Sequence, residues 1–102
     1  MPDPRASRPY RDNPGQLRGR DPAALEEELD KILVEQGEWL KSDSADKNGV
    51  RYIDGKGGLV IINRGYPGQR FSHGDAVHAG PYVKVMPGNL RVPLAGNPAL
   101  KG

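Results

Sequence analysis

Two histidines, an arginine and a serine lie close together in a glycine-rich stretch of the C-terminal half. His73 and His78 are the protein's only histidines, and Arg70 and Ser72 precede them. Imidazoles titrate near neutral pH, so two of them can divide the roles of general base and general acid. An arginine can neutralise the charge that develops on a phosphoryl group. These residues fit metal-independent cleavage of a phosphodiester, in RNA by attack of the 2′-hydroxyl to give a 2′,3′-cyclic phosphate.

The two histidines also fit other interpretations. His73, Asp75 and His78 offer two imidazoles and a carboxylate, which is enough for an open catalytic metal ion. That spacing is a weak signal, and no cysteine or further histidine is present to complete a structural metal site. In a third interpretation, both histidines are ordinary loop residues without a special function. We predict acid/base or phosphate contacts for both histidines, with no bound metal and no cofactor.

The stretch that contains these residues, 65–80, is too long for a simple connection between two strands. Loops of this length in a small domain are usually functional or disordered. Three apolar or aromatic residues, Tyr66, Phe71 and Val77, could fix the loop to the rest of the domain. We therefore expect an ordered loop that presents the histidines.

The composition limits the kind of protein that can present such a loop. The chain has 102 residues, of which 35% are hydrophobic, with 14 glycines, 10 prolines and no cysteine. This predicts one small domain with a thin core and excludes a disulfide scaffold. The longest apolar run, 58–62, is far too short to cross a bilayer, and no signal-peptide pattern follows Met1. We expect a soluble protein without a membrane partner.

Charge is distributed unevenly although the net charge is only +2. Residues 21–43 contain eight acidic and two basic side chains, whereas residues 44–102 contain eight basic and three acidic ones. A basic C-terminal region is a modest electrostatic signal for a polyanionic ligand such as nucleic acid. Ordinary solubilising charge gives the same pattern, so charge alone does not decide between the two interpretations.

The N-terminal half divides into a polar lead and a helical segment. Residues 1–20 alternate Pro, Arg, Asp and Gly with few sizeable apolar groups, which predicts a disordered linker or tail before a single domain at 21–102. Asp21 and Pro22 supply an N-cap and a first helical residue. Apolar residues then recur at helical spacing as far as residue 40, with Gly37 expected to separate a first helix from a second short one over 38–41. Trp39 is interpreted as a core anchor.

The C-terminal half has the pattern of short strands separated by turns. Residues 50–53, 59–64, 82–86 and 90–94 are each bounded by turn residues and predict four strands. The predicted fold is therefore α+β, with an N-terminal helix or two packed on a four-stranded antiparallel sheet. Residues 59–64 are expected at the centre, because the strand begins apolar on both faces, and Pro93 marks the last strand as an edge.

The last two strands allow a prediction of register. An even-length connection opposes three pairs: Val85 with Leu90, Lys84 with Arg91, and Val83 with Val92. Tyr82, Lys84 and Arg91 then share the face turned away from the helix. If Leu59 and Ile61 point toward the helix, Arg64 and Arg51 join that face.

Two like charges directly opposed on a sheet are mildly destabilising unless an anion lies between them, so this face predicts a phosphate cradle. A solvated outer face of a two-layer module is the alternative. The candidate catalytic residues are His73, His78, Arg64, Lys84 and Arg91. The candidate substrate-binding residues are Arg51, Arg70, Ser72 and Tyr82.

Several short phrases, in this element order, resemble a known group of proteins. They are Gly49 to Tyr52, the strand ending in Asn63 and Arg64, Gly80 to Val85, and Leu90 to Leu94, after a proline- and arginine-rich lead and a helix. The pattern resembles the C-terminal toxin domains of bacterial polymorphic toxin systems and, more broadly, the barnase/EndoU/colicin/RelE-like small ribonucleases. The resemblance covers about residues 21–100.

The resemblance implies metal-free cleavage of tRNA or mRNA, with the catalytic groups on the open sheet face and an adjoining loop. It also implies a cognate immunity protein or antitoxin as partner, and action in the bacterial cytoplasm after delivery within a larger secreted toxin. A barnase-like glutamate base has no counterpart, since every glutamate lies at or before Glu38. The alternative function is a non-catalytic module that binds nucleic acid or protein through the same basic face.

Overall fold

A computed structural model describes residues 1–44, 47–66 and 76–101, with the backbone alone described for Ala76, His78 and Lys101. Within these ranges the fold is α+β, with helices against one face of an antiparallel sheet of five strands. None of the helices in these ranges combines the length and apolar character that crossing a membrane requires.

The N-terminal segment differs from the disordered tail that its composition predicts. A short helix, α1 (Arg8–Asp12), lies between two 3₁₀ turns at Pro4–Ser7 and Pro14–Leu17. The side chains of Tyr10 and Leu17 are buried in the same core as the sheet and the longer helix. Burial of Tyr10 and Leu17, together with long-range hydrogen bonds, therefore orders this polar segment.

Long-range hydrogen bonds supply that assistance. The Tyr10 hydroxyl donates to Glu28 Oε2 over 2.8 Å, and Arg20 pairs with the same carboxylate at 3.0 and 3.3 Å. The Trp39 indole N–H donates to the backbone oxygen of Asp3 over 2.7 Å. Hydrogen bonds of this kind to partly buried or charged groups each contribute about 1 kcal/mol or more. These bonds join the N-terminal segment to Glu28 in the long helix and to Trp39, which lies beyond the end of the helical segment.

The longer helix begins where the sequence predicts. Asp21 Oδ2 accepts a hydrogen bond from the Ala24 N–H over 3.0 Å, and Pro22 is the first helical residue. Helix α2 (Pro22–Leu29) continues as a π-helical stretch, Asp30–Gln36. The predicted second helix over 38–41 is wrong, because Glu38 has a φ of 61°, which interrupts helical backbone, and an exposed strand follows it.

The sheet is a meander in which each strand pairs with the next. Its strands are β1 (Leu40–Asp43), β2 (Gly49–Ile53), β3 (Leu59–Asn63), β4 (Tyr82–Met86) and β5 (Leu90–Pro93). The four predicted strands are β2 to β5, and β1 is an additional one. As expected, β3 lies at the centre and β5, with Pro93, forms one edge.

The predicted register of the last hairpin is confirmed, since Lys84 pairs with Arg91. The conditional placement of Leu59 and Ile61 toward the helix is wrong. Ile61 pairs with Lys84 and lies on the same face, whereas Val60 and Ile62 point toward the helix. This follows from strand alternation, because neighbouring side chains in a strand point to opposite faces.

The core lies between the helical segments and the inner face of the sheet. Its sheet residues are Tyr52, Val60, Ile62, Val83, Val85 and Val92, and its helical residues are Tyr10, Leu17, Leu25, Leu29 and Leu33. Trp39 is 1% exposed and belongs to this core, as predicted. The opposite face of the sheet is therefore the one that remains for a functional site.

Candidate functional site

The face of the sheet turned away from the helices presents three rows of side chains that run across the strands. The cationic row consists of Ser42, Arg51, Ile61, Lys84 and Arg91. The apolar row, on one side of it, consists of Leu40, Ile53, Leu59 and Met86. The row on the other side consists of Gly49, Asn63, Tyr82 and Pro93. Cations thus run between an apolar strip and a strip that includes an amide and a tyrosine.

A cavity of about 260 Å³ opens on this face beside the cationic row. Its lining residues are Ser44, Ile61, Asn63, Tyr66, Tyr82, Lys84 and Arg91. Three of the predicted site residues, Tyr82, Lys84 and Arg91, therefore line one cavity. The other four were not among the candidates taken from the sequence.

Lys84 and Arg91 are the charged groups of this cavity. They are directly opposed on β4 and β5, so their Cα atoms lie about 5 Å apart. Neither forms an ion pair with a carboxylate in the described part of the chain. The cavity therefore has a positive charge that the described residues do not neutralise.

Arg51 extends the cationic row two strands away, beyond Ile61. It does not line the cavity. Its Nε is buried and has no hydrogen-bond partner among the described residues. Arg51 thus lies on the same face as Lys84 as a separate point of positive charge, although Ile61, with which it pairs, does not point toward the helix as the prediction required.

Asn63 organises the start of the loop at the edge of the cavity. This side chain is only 5% exposed, and its Oδ1 accepts from the Gly65 N–H at 2.7 Å and from Asn48 Nδ2 at 3.0 Å. Its Nδ2 donates to the Tyr66 hydroxyl at 3.4 Å. Gly65 has a φ of +84°, and a Cβ there would collide with the backbone of Gly80. These constraints hold Tyr66 at the cavity.

Asn97 holds the other end of the loop. It is 3% exposed and donates from Nδ2 to the carbonyl oxygens of Val77 and Pro81, each over 2.8 Å. A 3₁₀ turn, Ala76–Ala79, is thereby tied to the beginning of β4. Tyr66, the last described residue before this turn, and Tyr82, which follows the turn, both line the cavity.

Two predicted residues have a different environment from the one expected. Arg64 follows the last paired residue of β3, is exposed and does not line the cavity. Strand alternation sets it on the opposite side from Asn63, so the predicted cradle loses one cation. Tyr82 lines the cavity but is only 7% exposed, whereas Tyr66 is partly exposed.

The loop residues that the sequence singles out stay predictions. Arg70, Ser72 and His73 lie outside the described residues, as does Asp75 of the metal alternative. His78 lies in the Ala76–Ala79 turn, where its backbone alone is described.

The four cavity residues that were not predicted differ in how clearly the sequence indicates their position. Asn63 and Ile61 could have been found from alternation along β3, had Val60 and Ile62 been assigned to the core. Tyr66 was noted only as an anchor for the loop. Ser44 follows an exposed strand without an apolar pattern, and nothing local in the sequence indicates its place at the cavity.

On the helix side of the sheet two cations, Arg20 and Lys41, are paired with carboxylates. The hydrogen bond from Arg20 lowers the pKa of the Glu28 carboxyl, although partial burial opposes the shift. Burial opposes the protonation of Lys41, but its contacts with Glu26 and Asp30 outweigh burial and raise its pKa. Burial and a hydrogen bond to Asp30 raise the pKa of Tyr52. Each of these shifts favours the form that Glu28, Lys41 and Tyr52 already have at neutral pH.

Comparison of the chain with models of protein families, with curated proteins and with solved structures finds no match.

Proposed function

We propose that the chain is a metal-independent endoribonuclease, a toxin domain that binds the RNA backbone in the cavity on the outer face. The observation that supports this most directly is the direct opposition of Lys84 and Arg91 without a carboxylate partner in the described residues. Opposed like charges cost some tenths of a kcal/mol or more, a cost that a bound anion removes. A phosphodiester is the anion that suits a cavity also lined by tyrosines.

The lining residues suggest how RNA would be held. A phosphate between Lys84 and Arg91 makes charge-assisted hydrogen bonds, which are about twice as strong as neutral ones. Tyr66 offers an aromatic ring on which an unpaired base can stack. Both groups lie within one cavity. This combination favours a single-stranded nucleotide over an isolated phosphate ion.

The proposed chemistry is attack of the ribose 2′-hydroxyl on the adjacent phosphorus. A base removes the 2′-hydroxyl proton, the bond to the 5′-oxygen breaks, and an acid protonates that oxygen, which leaves a 2′,3′-cyclic phosphate. His73 and His78 are proposed for these two roles, with Arg70 and Ser72 as further contacts. His73 belongs to the nine residues, 67–75, that connect Tyr66 to the Ala76–Ala79 turn.

The proposal includes the biological setting that the resemblance implies. The substrate is tRNA or mRNA in the bacterial cytoplasm, reached after delivery within a larger secreted toxin. A cognate immunity protein or antitoxin neutralises the domain. The excess of basic over acidic residues in 44–102 suits both an RNA substrate and an acidic neutralising partner.

Incubation of the purified protein with total RNA in the presence of a chelator tests this function. We expect discrete fragments that end in a cyclic phosphate. The same incubation with His73→Ala or His78→Ala is expected to leave the RNA intact. Cleavage that needs an added divalent ion would overturn the metal-independent mechanism and favour the alternative in which the histidines bind metal.

A non-catalytic binding module is the second candidate, and the apolar row favours it. Leu40 is 66% exposed at one end of this row, and Ile53, Leu59 and Met86 are partly exposed. Exposed apolar side chains beside a basic strip are typical of interaction surfaces. Binding of RNA without any cleavage in the same incubation would support this candidate.

A further inference from the structure

We infer that RNA crosses the sheet as a single strand, with one phosphate between Lys84 and Arg91 and the neighbouring phosphate on Arg51. This inference rests on the proposed function and adds to it the path of the substrate and a second contact point. It follows from the spacing of the cations, the state of Arg51 and the position of the tyrosines.

The spacing separates two phosphate contacts. Arg51 and Lys84 belong to strands that are two positions apart in the sheet, so their Cα atoms are about 10 Å apart. Ile61 lies between them and lines the cavity, whereas Arg51 does not. A phosphate inside the cavity therefore contacts Lys84 and Arg91, and Arg51 is left for a group farther along the chain.

Arg51 is suited to hold such a group. Its Nε is buried without a hydrogen-bond partner among the described residues, so the side chain is not fully extended into solvent. No carboxylate among the described residues forms an ion pair with it. Arginine presents a planar fork of donors that matches two phosphate oxygens. A prepositioned cation without a carboxylate partner fits a second backbone phosphate.

The tyrosines indicate a single strand and give its orientation. Tyr66 and Tyr82 lie on one side of the cationic row, and the apolar row lies on the other. A duplex keeps its bases stacked inside, so only an unpaired strand can place a base on Tyr66. The backbone then follows the cationic row across β5, β4, β3 and β2, passing over Ile61, and the bases lie on the side of Tyr66 and Tyr82.

A trinucleotide of 2′-O-methyluridine tests the two-phosphate path, because it has two linkages and lacks the attacking hydroxyl. Each linkage in turn is replaced by a neutral methylphosphonate, and binding is followed by amide chemical shifts, which also report whether each variant is folded. In the wild-type protein either replacement is expected to weaken binding about tenfold, the value of one charge-assisted contact. Sensitivity to only one linkage in the wild type overturns the inference.

The Arg51→Gln variant assigns the second linkage. It is expected to lose sensitivity to one of the two replacements and to keep sensitivity to the other, whereas Arg51→Lys, which keeps the charge, stays sensitive to both. Lys31→Gln, on the helix side, serves as the matched control and binds like wild type. If Arg51→Gln remains sensitive to both linkages while Lys84→Gln weakens binding, the path is wrong and the proposed function stands. If Lys84→Gln also binds like wild type, both fail.

A comparison of RNA forms tests the single strand. An RNA hairpin with every loop base replaced by an abasic linker has no unpaired base, and we expect it to bind about tenfold more weakly than a 2′-O-methyl single strand with the same number of phosphates. Equal binding of the two forms would show that backbone charge alone is recognised, which contradicts a base on Tyr66.

Discussion

The two faces of the sheet are formed by the same strands but differ in burial and in charge pairing. On the inner face Val60, Val83 and Val85 are at most 1% exposed, and the nearby cation Lys41 is paired with Glu26 and Asp30. On the outer face the alternate residues of β4 and β5 bring two cations together without a described carboxylate. Burial and charge pairing stabilise the fold, whereas uncompensated charge on a partly exposed face costs stability.

The difference suggests that the outer face is retained for binding. Stability and function would then be separable by face, since substitutions one residue apart on the same strand should affect different measurements. The outer face is not uniform, however, because Asn63 on it is 5% exposed, slightly less than the core residue Ile62 at 6%. The following substitutions test this division, from the largest expected effect on stability to the smallest.

Leu33→Ala should cost the most, about 3 kcal/mol of unfolding free energy, because Leu33 is fully buried between helix and sheet. Urea denaturation at neutral pH measures this. Ile61→Ala on the partly exposed outer face is the matched substitution, and we expect it to cost less than half as much. Equal costs for the two would remove the distinction between the faces.

Asn63→Ala should cost about 2 kcal/mol although it lies on the outer face. The substitution removes the acceptor of the Gly65 N–H and one of the acceptors of the Asn48 amide, which keeps its bond to the Gly65 carbonyl oxygen. Asn63→Asp keeps an oxygen at the Oδ1 position and should lose less stability in the same denaturation experiment. If Asn63→Ala does not change the free energy of unfolding, other contacts hold the start of the loop.

Glu28→Gln should lower stability by up to about 1 kcal/mol at pH 7, since the carboxylate pairs with Arg20 and both groups are partly exposed. The pairing lowers the pKa of Glu28 below its ordinary value of 4.5. Its stabilisation is therefore complete above about pH 4.5 and is lost as the pH falls through the folded-state pKa.

Denaturation midpoints of wild type and Glu28→Gln should thus differ at pH 7 and converge as the pH falls below about 4.5. A constant difference across this range would show that the charge of Glu28 contributes nothing and that the substitution acts through packing.

Lys84→Gln should have the smallest effect on stability, a gain of some tenths of a kcal/mol, because it removes the charge opposed to Arg91. The melting temperature, compared with that of Lys31→Gln, detects the sign. A loss of more than about 1 kcal/mol would make Lys84 a structural residue and not one kept for a ligand.

Much of the fold could be predicted because its signals are local. Asp21 and Pro22 define the helix start through capping chemistry, and the register of β4 and β5 follows from matching charged and apolar pairs. β1 was missed because all four of its residues are exposed, so no alternation marks it. The N-terminal segment was missed because its order depends on partners far away in sequence, such as Glu28 for Tyr10.

The site could be predicted only in part, for a related reason. Lys84 and Arg91 followed from register, but the inward face of β3 could not be chosen, since that strand is apolar on both faces. Because the wrong face of β3 was assigned to the core, Arg64 was predicted on the outer face and Asn63 was not recognised as a site residue. Tyr66 depends on the bonds of Asn63 and on the positive φ of Gly65, neither of which shows in a hydrophobic pattern.

The rate of RNA cleavage by Lys84→Gln, with Lys31→Gln as control and a chelator present, tests whether the outer face is the functional site. We expect a rate at least about tenfold below wild type for Lys84→Gln, the loss expected for one charge-assisted phosphate contact, at an unchanged or slightly raised melting temperature. The control should cleave like wild type. A folded Lys84→Gln variant that cleaves at the wild-type rate would contradict the assignment of the outer face as the functional site.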